Sequence, residues 1–326
     1  MKTLVTGATG FIGSVLCREL ARCGHDVRAL VLPGEDTREL KTLGADIREG
    51  DLLKEESLKG ICEGIHTVFH LAGRVTDWGT REQFYTAIYD ATLNLMQEAA
   101  GRARRFVYVS SIAAMGFGRH LKGMKETDRA CRSGIPYNDA KLDTEKFVTG
   151  YHRAGIIDCT IIRPANVTGP GSVWVRDIVE KMLSMPMPLI DGGRHSASLI
   201  YVDNLVDGII LAGTLDIGKG KIYQLRDDWD VTWARYINDL GSFIRKKSLG
   251  SVPYLPARML GTLLETVSAP LGIRPPITRM AVEITGRNND VDNTLAKTEL
   301  GWKTRVPYPE AMRTIGEWVV ARYGRS

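Results

Sequence analysis

Tyr137 and Lys141 stand four residues apart in IPYNDAKLDTEKFV (135–148), a spacing that puts a phenol and an ammonium on one face of a helix. An ammonium near a phenol favours the phenolate, so Tyr137 is a candidate acid in one direction of a reaction and base in the other. Free tyrosine titrates near about 10, and each unit of lowering requires roughly 1.4 kcal/mol of differential interaction. The same spacing also arises by chance on ordinary amphipathic helices, so its meaning depends on the elements that position it.

Those elements are legible as alternation. TLVT (3–6), DVRALV (26–31), ADI (45–47), TVFHLA (67–72), RFVYVS (105–110) and CTIIRP (159–164) are short apolar runs separated by helix-length segments. The pattern predicts β-α-β units and hence an α/β fold with a doubly wound parallel sheet covered on both faces. In SVLCRELARCG, Leu16, Leu20 and Cys23 step by four and three, and Gly24 is placed to end the helix. Between the first strand and this helix, TGATGFIGS sets Gly7, Gly10 and Gly13 three apart. Glycine there allows a tight turn, close approach of a pyrophosphate to backbone N–H groups, and close helix–strand packing, while the helix N-terminus favours negative charge.

The second strand runs into Val31 and Leu32 with no carboxylate where one would meet the adenosine ribose. Arg28 or Arg38 could instead meet a 2′-phosphate, which tilts the expected NAD(P)(H) cofactor toward NADP; the alternative is two solvated arginines and either cofactor. Asp51 in GDL (50–52) is read either as an acceptor from the adenine amino group or as a helix N-cap.

Composition excludes several classes. A net charge of +5 over 326 residues, with clusters such as GRARR and IRKK that lack interleaved aromatics, does not build a nucleic-acid face. Cys17, Cys23, Cys62, Cys131 and Cys159 are scattered and odd in number, and the six histidines show no ligand spacing. Neither a disulfide framework nor a metal site is expected, and His70 is read as a loop or pocket residue. No run approaches the ~18 apolar residues of a membrane helix and no signal-type leader follows Met1, so a soluble, cytoplasmic protein is expected.

Taken jointly, TGATGFIG, GDL, HLAG (70–73), VYVSSIAAMG (107–116), Tyr137-x-x-x-Lys141, RPANVTGPG (163–171), YVDNLVDGIILA (201–212) and LGW (300–302) resemble the extended short-chain dehydrogenase/reductase family of epimerase/dehydratase type, over nearly the whole chain. The resemblance implies a Rossmann domain over 1–165, with 200–226 returning to it, and a substrate domain from 166–199 and 227–326. It also implies a small-molecule substrate and allows a homodimer. The cofactor residues it implies are Gly7, Thr9, Gly10, Phe11, Ile12, Gly13, Asp51, Leu52, Leu71, Ala72, Gly73 and Pro164, with Tyr137 and Lys141 at the nicotinamide end. Counting five residues back from Gly116, the family's catalytic hydroxyl matches Ser111, with Ser110 the spare. A hydroxyl suits the chemistry, because hydride cannot move to or from a carbon unless the attached oxygen gains or loses a proton.

Departures from the family pattern bear on substrate. Sugar dehydratases place an Asp-Glu pair after the catalytic hydroxyl, where this chain has Ile112 and Ala113, so dehydration is not expected. Epimerases carry an arginine where SASLIYVDN has Ala197; Arg194 is out of register, and Arg287 is the other cation that could reach a phosphate. An asparagine common in the family is replaced by Ile88, with Asn94 retained. Asn166 is read either as a substrate contact or as a residue stabilising its own loop. The apolar, proline-broken stretch 252–285 is read as a lid over an apolar substrate, with core packing of Met259, Leu260, Leu263 and Leu264, or an interface, as alternatives. The resulting expectation is an oxidoreductase acting between a secondary alcohol and a ketone on a sterol-like or 3-hydroxy/3-keto compound. A nucleotide-sugar epimerase is the alternative, and a cofactor-binding regulator without turnover stands behind both.

Overall fold

The computed structural model describes residues 1–324. Thirteen strands follow in chain order: β1 (Lys2–Thr6), β2 (Asp26–Val31), β3 (Asp46–Glu49), β4 (Thr67–His70), β5 (Arg105–Val109), β6 (Leu121–Met124), β7 (Asp158–Pro164), β8 (Asn166–Thr168), β9 (Leu189–Ile190), β10 (Leu199–Tyr201), β11 (Ile222–Leu225), β12 (Ser251–Val252) and β13 (Asn289–Val291). Seven of them form one sheet in the order β11-β7-β5-β4-β1-β2-β3, and every neighbouring pair in it is parallel. The order reverses at β1, whose two neighbours are β2 and β4; in an open parallel sheet a crevice for ligand opens there, beyond the carboxyl ends of the strands.

The sheet is double-covered because its strands are apolar on both faces. Leu4, Val5, Val68, Phe69, Phe106 and Val107 are fully buried, and burying side chains of this size contributes about 1.5–3 kcal/mol each. The first helix, Phe11–Arg22, buries Leu16 and Leu20. Its predicted third stripe residue, Cys23, lies past the helix end and is exposed, while Gly24 takes the left-handed conformation that terminates the turn.

Three short parallel ribbons, β8 with β10, β9 with β12 and β6 with β13, join the later part of the chain to the sheet. In LGW, Gly301 ends the helix Thr294–Leu300 in the left-handed region, and Trp302, buried, donates from Nε1 to the Asn204 carbonyl at 2.8 Å. The 252–285 stretch forms helices Tyr254–Ser268 and Arg279–Gly286. The longer helix buries only Tyr254, Ala257 and Gly261, while Met259 and Leu263 are 73% and 61% exposed and Leu260 is exposed as well. Core packing of Met259, Leu260 and Leu263 is thereby corrected: the small side chains of Ala257 and Gly261 make the contact face, and the large ones point outward. No helix among the described residues is long and apolar enough to cross a membrane.

Candidate active site

The helix Pro136–Arg153 starts with proline in its first turn, where the missing N–H has no partner to lose. Ahead of it, Asp139 accepts from the Ser133 N–H at 2.9 Å and Ser133 Oγ accepts from Asn138 Nδ2 at 3.0 Å, which fixes the entry of the helix and with it Tyr137. Tyr137, Ala140, Lys141, Thr144, Glu145 and Val148 are all buried; their spacing is one inward helix face. Tyr137 and Lys141 therefore belong to the interior face.

Ser111 opens the short helix Ile112–Met115, and its Oγ accepts from the Ala113 N–H at 3.1 Å. The helix that carries Tyr137 packs against this short helix, with the Ser111 hydroxyl beside the Tyr137 phenol. Burial pushes the Tyr137 phenol above its ordinary value, and the Ser111 hydrogen bond opposes that rise. The Lys141 Nζ donates to the Val109 carbonyl at 2.9 Å and lies 4.8 Å from the Tyr108 ring centre. Burial brings Lys141 itself down to about 8, with Glu145 pulling the other way.

Ser110, the spare hydroxyl, donates to Glu145 Oε1 at 2.6 Å. Glu145 in turn accepts from Arg163 Nε and from Nη2 at 2.6 Å, and both side chains are 4% exposed. This buried triad joins the catalytic helix to β5 and β7; motif reading passed over it because its residues are far apart in sequence.

At the glycine loop, Gly7 has φ +67°, and a Cβ on it would stand 3.0 Å from the Ala72 nitrogen. A Cβ on Gly13 would stand 2.0 Å from the Gly7 carbonyl oxygen. Gly10 caps the first helix with no side-chain hydrogen bond, so its first N–H groups face a ligand rather than a cap. Leu71, Ala72 and Gly73 follow β4 directly against this loop, and Ala72 N–H donates to Thr6 Oγ1 at 3.2 Å. Ile12 is half-buried, and the Phe11 ring lies under Gly169 of the TGPG segment. Pro164 is buried at the end of β7. A dinucleotide pyrophosphate fits a cradle of this kind, bare of side chains and edged by a helix N-terminus.

His70 is corrected from a loop or pocket residue to the buried last residue of β4. Thr92 Oγ1 donates to the Ile88 carbonyl at 2.5 Å, so His70 Nε2–H must donate to Thr92 at 2.9 Å while Nδ1 accepts from Thr6 at 2.7 Å. Burial, with Lys141 adding to it, holds His70 down at about 3, neutral as this chain of donors requires. Ile88 lies in a π-helical segment, Thr86–Asp90.

Arg28 is not at the cofactor edge. It is buried, pairs with Asp46 at 2.8 Å and donates to the Ile61 and Glu63 carbonyls, so its guanidinium is spent inside the fold. Arg38 is clasped by Asp36. A carboxylate does reach the glycine loop, that of Glu35. Glu35 N–H bonds the Leu32 carbonyl across Pro33 and Gly34, and Gly34 has φ +86°, the geometry of a type II turn. The turn returns the Glu35 carboxylate to Thr9 Oγ1 at 2.9 Å and the Leu32 N–H at 3.0 Å, between the glycine loop and the end of β2. Pro-Gly was the signal that could have placed it.

Asp51 Oδ1 accepts from the Leu53 N–H at 3.0 Å, a local turn rather than a helix cap, since the following helix is capped at Lys54. The Leu52 carbonyl accepts from Asn94 Nδ2 at 2.9 Å. Asn166, the first residue of β8, donates from Nδ2 to the Ala197 carbonyl at 2.7 Å and so ties its strand to the segment that leads into β10, rather than stabilising its own loop. Arg287 lies over the Tyr254 ring. No cluster of three or more metal-ligating side chains occurs among the described residues. A cavity of about 440 Å³ is lined by Lys2, His25, Asp26 and Asp46 at the amino ends of the strands, the opposite edge of the sheet from the glycine loop.

Comparisons with known proteins agree with this layout. Over 328 residues the chain is 28% identical to a 4-hydroxy-2-methyl-3-oxo-4-farnesyl-3,4-dihydroquinoline-1-oxide ketoreductase of Stigmatella aurantiaca, covering 97% of this chain and 96% of that one. It is 25% identical over 332 residues to a 2-alkyl-3-oxoalkanoate reductase of Shewanella oneidensis, covering 95% and 84%. In fold it matches the UDP-glucose 4-epimerase of Thermotoga maritima with a TM-score of 0.79 at 22% identity, covering 99% of each chain. The model of the NAD dependent epimerase/dehydratase family matches residues 3–225, from β1 through β11 and across every catalytic candidate, and the chain belongs to that family.

Proposed function

We propose that the chain is an NAD-dependent oxidoreductase that interconverts a secondary alcohol and a ketone on a largely apolar substrate. The observation that carries this reading is the burial of Tyr137 and Lys141 on the inner face of the helix Pro136–Arg153, which packs against the short helix that Ser111 opens. Bound reduced nicotinamide supplies the hydride. Tyr137, kept a neutral phenol by burial, gives its proton to the developing alkoxide, and Ser111 holds that oxygen. Lys141, lowered by burial to about 8, is placed to hold the nicotinamide ribose and to return a proton to the Tyr137 phenolate.

For the cofactor, Glu35 favours NAD over the expected NADP: its carboxylate suits ribose hydroxyls and repels a 2′-phosphate, and Arg28 and Arg38 are both engaged elsewhere. Ketone reduction is supported over dehydration by Ile112 and Ala113 behind Ser111, both fully buried and without acid or base function. The two reductase relatives point the same way.

The test is consumption of reduced cofactor by the purified protein with long-chain 3-oxo compounds and 3-ketosteroids, beside incubation with UDP-sugars and product analysis. Oxidation of NADH on adding a ketone is the expected result. Epimerised nucleotide sugar without any ketone reduction would overturn the reading.

A further inference from the structure

A cavity of about 280 Å³ lies between the catalytic segments and the C-terminal helices. One wall is Gly116 to Arg119, directly after the short helix that Ser111 opens; a second is Cys131 to Ile135, and Ile135 is the residue capping the helix of Tyr137. The third wall brings Arg258, Arg279 and Glu283. The lining thus holds four guanidiniums, from Arg119, Arg132, Arg258 and Arg279, against the single carboxylate of Glu283.

How those cations are partnered decides what the cavity can take. Arg258 pairs with Glu283 at 2.8 Å, and the second Glu283 oxygen is taken by the Tyr254 hydroxyl. The carboxylates that pair with Arg279 (Glu265) and with Arg132 (Asp143, and Asp139 at 3.9 Å) are outside the lining. Arg119 donates only to the Arg129 carbonyl at 3.2 Å and forms no ion pair among the described residues. A guanidinium carries five N–H donors and one carboxylate uses two, so donors remain for an incoming oxyanion.

We propose that this cavity binds an anionic group of the substrate, a carboxylate or phosphate oxyanion carried near the ketone that Tyr137 reduces. The inference rests on the ketone-reducing reading and narrows it from any apolar ketone to an amphipathic one. Its geometry gives the substrate two fixed points, the carbonyl at Ser111 and Tyr137 and the anion at the arginines, which together determine which carbonyl face meets the hydride. Hydrogen bonds to a charged group contribute about 1.5–3 kcal/mol, or roughly ten- to a hundredfold in kcat/KM.

The experiment compares kcat/KM for a long-chain 3-oxo acid, its methyl ester and its coenzyme A thioester in the wild type and in the Arg119→Ala and Arg258→Gln variants. A cofactor-binding measurement on each variant checks that it is folded. The proposal expects the acid to exceed the methyl ester by about tenfold or more. It expects that preference to shrink in Arg119→Ala and to vanish when both changes are combined. A preferred free acid identifies a carboxylate beside the ketone as the anchor; a preference for the thioester alone, whose phosphates lie at the far end of the pantetheine arm, would overturn an anchor placed near the ketone. Equal rates for acid, thioester and ester in the wild type, or a preference that survives both substitutions, would overturn the proposal while leaving ketone reduction standing. Absence of turnover with every ketone would instead remove the reading on which it rests.

Discussion

Glu35 Oε2 accepts a hydrogen bond from Thr9 Oγ1 at 2.9 Å, joining the glycine loop to a turn four residues beyond the end of β2. In the proposed NAD complex this carboxylate stands at the adenosine edge, although the strand itself ends in apolar residues. Replacing Glu35 by Ala should weaken NAD and strengthen NADP binding, changing their ratio by about tenfold, as removal of one charge near a phosphate would do. Equilibrium titration of both dinucleotides reads this without reference to activity; an unchanged ratio would refute the role of Glu35.

Gly13 leaves no room for a side chain, since a Cβ would stand 2.0 Å from the Gly7 carbonyl oxygen. Gly13→Ala should push the first helix away from β1 and deform the pyrophosphate cradle. Cofactor affinity is expected to fall at least tenfold, a cost of about 1.4 kcal/mol, while the far-ultraviolet circular dichroism spectrum stays that of an α/β protein. Wild-type affinity in this variant would show that the cradle tolerates a shift.

Glu145 and Arg163 are paired in the interior with Ser110 as a third member. Removing the carboxylate by Glu145→Gln leaves the guanidinium buried without its counter-charge, at a cost of about 3–5 kcal/mol. Urea unfolding measures it directly. A change below 1 kcal/mol or so would mean that water or another group relieves Arg163 in the variant.

Lys141 is brought down by burial to about 8, so its positive charge is present below that pH and lost above it. Ketone reduction should therefore be level at neutral pH and decline through about pH 8, and Lys141→Arg should move the decline upward. For stability the sign is set by a folded-state value below the ordinary 10.5. The contribution is present above about 10.5 and is lost as the pH falls through about 8. A rate that is flat from pH 6 to 10 would remove the charge of Lys141 from the reaction.

The sheet was legible because its strands carry their signal locally: six apolar runs mark six of its seven strands, and β11 entered only through the family pattern, its Ile222–Leu225 run being short. Gly7 and Gly13 could be read from spacing, since their roles depend on backbone shape. Arg28 was misplaced because a strand residue near a ribose and one at the buried lower edge look alike in sequence; its direction is set by Asp46 and the Ile61 carbonyl, each distant along the chain. The same limit hid Ser110, Glu145 and Arg163, whose contact exists only once β5, β7 and the catalytic helix are assembled. Glu35 was accessible in principle, through Pro33 and Gly34, but only by giving the turn the same weight as the strand end.

Turnover and cofactor affinity measured side by side on Tyr137→Phe test the central claim most directly. The account predicts a loss of roughly 10²–10⁴-fold in kcat for ketone reduction, with the dinucleotide dissociation constant unchanged within about twofold, because only the phenolic oxygen is removed. Turnover equal to the wild type in this variant would contradict it.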